Sequence, residues 1–132
     1  MGLRTIKFRG KSIESRKNGQ WIYGCYLSDH DGYSSHELIL DGITGFSYEV
    51  DPITVGQFTG VKYNDREIYE HDLIECAGVL CEIVHNDKIG AFVLLEVLTQ
   101  NLGSKPIGQM IDLFCIKYVG NIYDHPELIK EE

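Results

Sequence analysis

At 132 residues, 43% hydrophobic and 24% charged, the chain has the size and composition of a soluble globular protein able to bury a core without disulfides or metal. No apolar run approaches the roughly 20 residues needed to cross a bilayer, and the basic opening "MGLRTIKFRGKSIES" has no apolar stretch behind it, so neither a membrane span nor a secretory signal is expected and the default location is the cytoplasm. Twelve Lys or Arg against twenty Asp or Glu give a net charge of −8, which disfavours non-specific attraction to a nucleic-acid backbone or an anionic membrane.

Six of the twelve basic residues, Arg4, Lys7, Arg9, Lys11, Arg16 and Lys17, fall in the first 17 positions. There "TIKFRG" (5 to 10) alternates Ile6 and Phe8 with Lys7 and Arg9, the pattern of a half-buried strand whose Lys and Arg protect an edge. Asn18-Gly19 then precedes "WIYGCYL", and Asn-Gly favours the left-handed geometry of a tight hairpin turn. Strands near 5 to 9 and 20 to 28 are therefore expected to pair. "SDHDGYSSHELILDG" reads as a polar loop around Asp31-Gly32, a brief apolar strand and a second turn at Asp41-Gly42.

Pro52 forbids a ladder hydrogen bond, so the chain turns or lies on an edge there. "TVGQFTGVKY" resumes the alternation, with Val55, Gln57 and Thr59 against Gly56, Phe58 and Gly60, and Asn64-Asp65 offers another turn. "LIECAGVLCEIVHNDKIGAFVLLEVL" predicts strand, Ala77-Gly78 turn, strand, loop, strand: a three-strand meander. "TQNLGSKPIGQ" is a connector in which Pro106 stops any helix, and "MIDLFCIKYVGNIY" predicts a buried closing strand. A short helical turn follows, capped by Asp124 or His125, with Pro126 early and Glu127 at its positive end. No segment sustains a helical period, so the expected fold is mostly β, short antiparallel strands with little helix.

One pattern recurs. "IYEHDLI" (68 to 74) and "IYDHPELI" (122 to 129) are near copies, and "VG" precedes each, at 55 to 56 and at 119 to 120. The shared features are an aromatic strand end, an acidic turn and a return to apolar residues, which predicts two strand exits of similar build with His71 and His125 structural.

The opening "IKFRGK" followed by "WIYG", the central "YEVDPITVGQFTGVKYNDREIYEHDLIE", the "IGAFVL" strand and the closing "YVGNIYDHPELI" together resemble the YopX proteins of bacteriophages and prophages of Gram-positive bacteria. The likeness runs from Thr5 to about Ile129. It implies a phage-encoded, mostly β protein with a small SH3-like barrel in its C-terminal part. It also implies a family without assigned activity, so no catalytic residues carry over. The expected organisation is a single domain over 1–132, with an N-terminal β lobe 1–52 and a C-terminal small barrel 53–132 as its subdivision. Where the family has glycine in a "YEGD" turn, this chain has His71, which points to a left-handed backbone position, for histidine is among the non-glycine residues enriched there.

Candidate chemistry is sparse. Cys76, Cys81 and His85 approximate a zinc spacing but lack a second ligand pair, and small buried thiols on facing strands account for the cysteines far better. Cys81 and His85 share a strand face yet stand about 13 Å apart at a rise of ~3.3 Å per residue, too far for proton transfer. Asp29, His30 and Asp31 offer oxygen and nitrogen ligands, but loops of that composition are ordinary. "VGQFTG" and "VGNIYD" lack the spacing of a phosphate loop. Asp72 with Glu75, and Asp124 with Glu127, have the form of an acid–base pair without sequence evidence of burial. No catalytic, cofactor or metal residues are therefore assigned, and a non-enzymatic protein is expected.

Two partner classes remain. Sheet edges and aromatic patches suit association with a host or phage protein or with a second copy of the chain. Alternatively, Trp21, Tyr23 and Tyr26 with the basic N-terminus form a stacking platform for nucleic acid, against which stand the net charge and the equally good use of alternating aromatics as sheet core. Arg9, Lys11, Trp21 and Tyr23 are the candidate interaction surface.

Overall fold

The basic alternation near the N-terminus becomes strand β1 (Phe8–Lys11), and Gly19, at φ 80, closes the turn before β2 (Trp21–His30). The two pair antiparallel with Phe8 opposite Gly24 and Lys11 opposite Trp21. β3 (Ser35–Asp41) pairs back along β2 from Gly24 to His30, and β4 (Ser47–Glu49) pairs with Leu38–Leu40. Asp51 then caps a 3-10 turn at Pro52–Thr54 by accepting from the Ile53 N–H, which is how the chain absorbs Pro52. β5 (Gly56–Tyr63) returns beside β1, giving the order β4-β3-β2-β1-β5. The structure, a computed structural model, describes residues 4–30 and 32–129.

The chain divides into two compact units, residues 1–60 and 61–132, with the boundary inside β5. The core of the first unit is Ile22, Ile39, Tyr48 and Val50, with Phe8 and Val55 packed against it. Gly10 belongs to this core by lacking a side chain, since a Cβ there would press within 3.1 Å of Val50.

In the second unit the last residues of β5 turn through Asn64 and Asp65, both at left-handed φ (50 and 65), into β6 (Arg66–Tyr69). The predicted meander follows as β7 (Asp72–Cys76), β8 (Val79–Asn86) and β9 (Ala91–Glu96), with Ala77 and Gly78 at φ 51 and 83 forming the two-residue hairpin turn. β10 (Ile116–Asn121) adds on the far side of β7, giving the order β10-β7-β8-β9. Ile68, Ile74, Cys76, Cys81, Ile83, Leu94, Ile107 and Ile116 are its core.

The fold is mostly β, in two antiparallel sheets. Three sequence expectations are corrected. The basic strand expected at an edge, β1, lies between β2 and β5. The small SH3-like barrel does not close among the described residues: β9 and β10 remain edges, because the outer side of β9 bonds to its own return, with the Glu96 N–H on Asn101 O and the Gly103 N–H on Leu94 O. And Met110–Leu113, expected in a strand, belong to a helix, α1 (Ile107–Leu113). Pro106 precedes this helix instead of stopping one, as its fixed φ and missing N–H allow. Ile107, Met110 and Ile111 all pack on the second core, the spacing of one helical face.

Candidate functional site

Alternation along β1 sends Phe8 and Gly10 to the core and leaves Arg9 and Lys11 on the other face. The register sets Tyr23 directly opposite Arg9 and Trp21 opposite Lys11, so all four candidate residues share one sheet face. The Arg9 guanidinium lies 4.4 Å and the Lys11 ammonium 5.4 Å from the centre of the Trp21 ring, and Lys7 lies 5.6 Å from that of Phe58. Each such cation–aromatic contact contributes about 0.5–2 kcal/mol, more as it is desolvated. Arg9 is only 5% exposed whereas Tyr23 is 43% exposed, and Lys11 and Trp21 are half-buried, so the face is packed at Arg9 and open at Tyr23. Arg16 is elsewhere, over Tyr48 and 3.7 Å from Glu14. The six early basic residues therefore do not form one patch.

Past Gly24 the first sheet narrows. A Cβ at Gly24 would overlap the Leu40 carbonyl oxygen, so glycine is required where the strands cross closely. From Cys25 to His30, β2 pairs with β3 alone, and every one of these residues is exposed. This edge, backed by β3 and at Cys25–Leu27 also by β4, carries Leu27, 50% exposed, and leads to the fully exposed Tyr33. On one of its faces Tyr26 and Ser28 both donate to the Glu37 carboxylate, Ser28 at 3.0 Å, with His30 Nε2 3.0 Å from Ser28 Oγ. The hydrogen bond with Glu37 raises the Tyr26 phenol above its ordinary value and, reciprocally, lowers the Glu37 carboxyl. Because the Ser28 proton is given to Glu37, the imidazole meets a lone pair, an arrangement that does not activate the serine as a nucleophile. Sequence reading extended this strand only to about residue 28. The residues beyond, Asp29 and His30, are polar and read as loop.

The repeated segments do meet. Asp72 stands opposite Asn121 and Leu73 opposite Gly120 in the β7–β10 ladder, which the Ile122 N–H extends by bonding His71 O at 3.2 Å. His71 has φ 75, the left-handed position its place in the turn predicted. Its Nδ1 lies 2.8 Å from Glu82, and its ring meets that of Tyr123 edge-on. Asp72, 1% exposed, closes the turn by accepting from the Tyr69 N–H at 2.7 Å. His125 is held differently: its Nδ1 accepts from the Asn121 N–H, and its ring lies over Gly120, where a Cβ would overlap it. Each histidine thus serves its own turn.

Cys76 and Cys81 are core residues, and burial pushes the Cys81 thiol up to about 11. His85 is engaged with Asp87 at 2.6 Å and edge-on with Phe92. Among the described residues no three or more His, Cys, Asp or Glu are grouped to hold a metal ion. Asp31, the third member of the Asp29 and His30 cluster, lies outside the described residues. No helix of the described residues is long and apolar enough to cross a membrane. No curated protein matches the chain, whereas the model of one family, described as YopX protein, matches residues 7–130.

Proposed function

The chain belongs to the YopX family, and from that premise we propose that it is a phage-encoded accessory protein that acts in the host cytoplasm by protein association, without catalysis. The observation that carries this reading is the β2 edge from Cys25 to His30. It has no strand beside it on the side away from β3 among the described residues, and it presents Leu27 to solvent. An open edge offers a row of backbone donors and acceptors to another strand. A second copy of the chain, paired edge to edge about a twofold axis, or a strand of a host or phage protein satisfies that need.

The test is sedimentation of the full chain over a range of concentrations, together with capture from infected cells, for the natural sequence and for Leu27→Lys. Self-association or capture of a defined partner that Leu27→Lys removes is expected. A chain that stays monomeric and captures the same proteins with or without Leu27 overturns the reading.

The second reading, a nucleic-acid surface, is favoured by the shared face of Arg9, Lys11, Trp21 and Tyr23. Binding of a labelled single strand that falls steeply with salt and is lost in Tyr23→Ala would replace the first reading with this one.

A further inference from the structure

Residues 61–132 hold six Lys or Arg against thirteen Asp or Glu, so a cation in this unit has carboxylates in plenty. None of the five that are described makes an ion pair among the described residues, and two of them, Arg66 and Lys117, line the same cleft. Arg66 lays its guanidinium over the Tyr118 ring, 4.0 Å from the centre, and Lys117 has Glu75 opposite it in the β7–β10 ladder without an ion pair between them. The cleft holds about 260 Å³ and is lined by Tyr63, Asn64, Arg66, Ile116, Lys117 and Tyr118. No carboxylate is among these six.

The walls are fixed by the fold. The left-handed Asn64-Asp65 turn brings Asn64 and Arg66 to one side, and the Tyr63 hydroxyl donates to Ile116 O at 3.1 Å, tying the end of β5 to the start of β10. Two like charges sharing a cleft repel each other, and an anion placed between them reverses that cost. The donors offered are a guanidinium fork, an ammonium and a side-chain amide. We propose that this cleft binds a phosphate group, free or as a monoester, whose two negative charges match the two cations and whose oxygens can accept from all three side chains. The inference is independent of the association proposed for the β2 edge, which lies in the other unit.

The test is a titration of the full, isotopically labelled chain with inorganic phosphate, with adenosine monophosphate and with acetate at matched ionic strength, followed by amide shifts. Saturable shifts at Asn64, Arg66, Lys117 and Tyr118 with phosphate are expected. Affinity should fall about tenfold in Lys117→Ala and in Arg66→Ala, as loss of one charge-assisted bond implies. Arg66→Lys should recover part of the loss, and Lys88→Ala should leave affinity unchanged. Tighter binding of the nucleotide than of phosphate would mark a nucleotide as the source, and equal binding would mark free phosphate. Shifts that do not saturate, acetate binding as tight as phosphate, or equal losses in Lys88→Ala overturn the proposal.

Discussion

His71 shows how a single residue can look chemical and act structurally. Its φ of 75 and its bond to Glu82 oppose each other energetically: a left-handed backbone costs a non-glycine residue about 1–2 kcal/mol, and the hydrogen bond returns about 0.5–1.5 kcal/mol. His71→Gly should therefore be within about 1 kcal/mol of neutral in chemical denaturation, whereas His71→Val, which keeps the strain and loses the bond, should destabilise by at least about 1–2 kcal/mol. Gly24→Ala should be worse, because its Cβ would meet backbone that cannot rotate away. A loss of at least about 2 kcal/mol is expected, read as a lowered denaturation midpoint. For Cys81 the sign is that of an acid whose folded pKa, pushed up by burial to about 11, lies above its ordinary value of 9.0. The folded state holds the proton longer, so this contribution is complete below pH ~9 and is lost as pH rises towards ~11. Stability followed over that window should decline less steeply in Cys81→Val than in the natural chain.

At the scale of elements, the hairpins were legible because their turns are chemically specified. Asn64-Asp65 and Ala77-Gly78 sit between alternating strands and adopt the left-handed angles that two-residue turns demand. Helix α1 was not legible, since seven residues give less than two turns of periodicity and Pro106 reads equally as a stop or a start. What makes the helix is its inward face. Ile107 is 3% exposed in the second core, so Ile107→Ala should cost about 2–5 kcal/mol, measured by denaturant unfolding. The β2–β3 pair is the converse case, an element whose outer half buries almost nothing. Leu27→Lys should leave stability within about 0.5 kcal/mol while removing association.

Across the whole molecule, charge separates the two readings of function. With a net charge of −8, binding of the Arg9 and Lys11 face to a nucleic-acid strand would depend on local counterion release and fall sharply between about 50 and about 200 mM salt. Association through the β2 edge rests on backbone hydrogen bonds and Leu27, which salt screens little. Sedimentation at both salt concentrations should therefore give the same assembly, and dissociation at the higher salt would count against edge pairing.

By itself the sequence determined most of the strands, their turns, the family likeness and the left-handed site at His71, because alternation, turn chemistry and steric demand act within a few residues. It also named Arg9, Lys11, Trp21 and Tyr23 as candidates, but their shared face follows from the β1–β2 register, which the structure supplies. Only the tertiary structure decided that β9 and β10 stay apart, that Asp72 meets Asn121, and that Arg66 and Lys117, 51 positions apart in the chain, share one cleft. These depend on which distant segments pair and pack, and such pairing is set by the fit of whole sheets and cores.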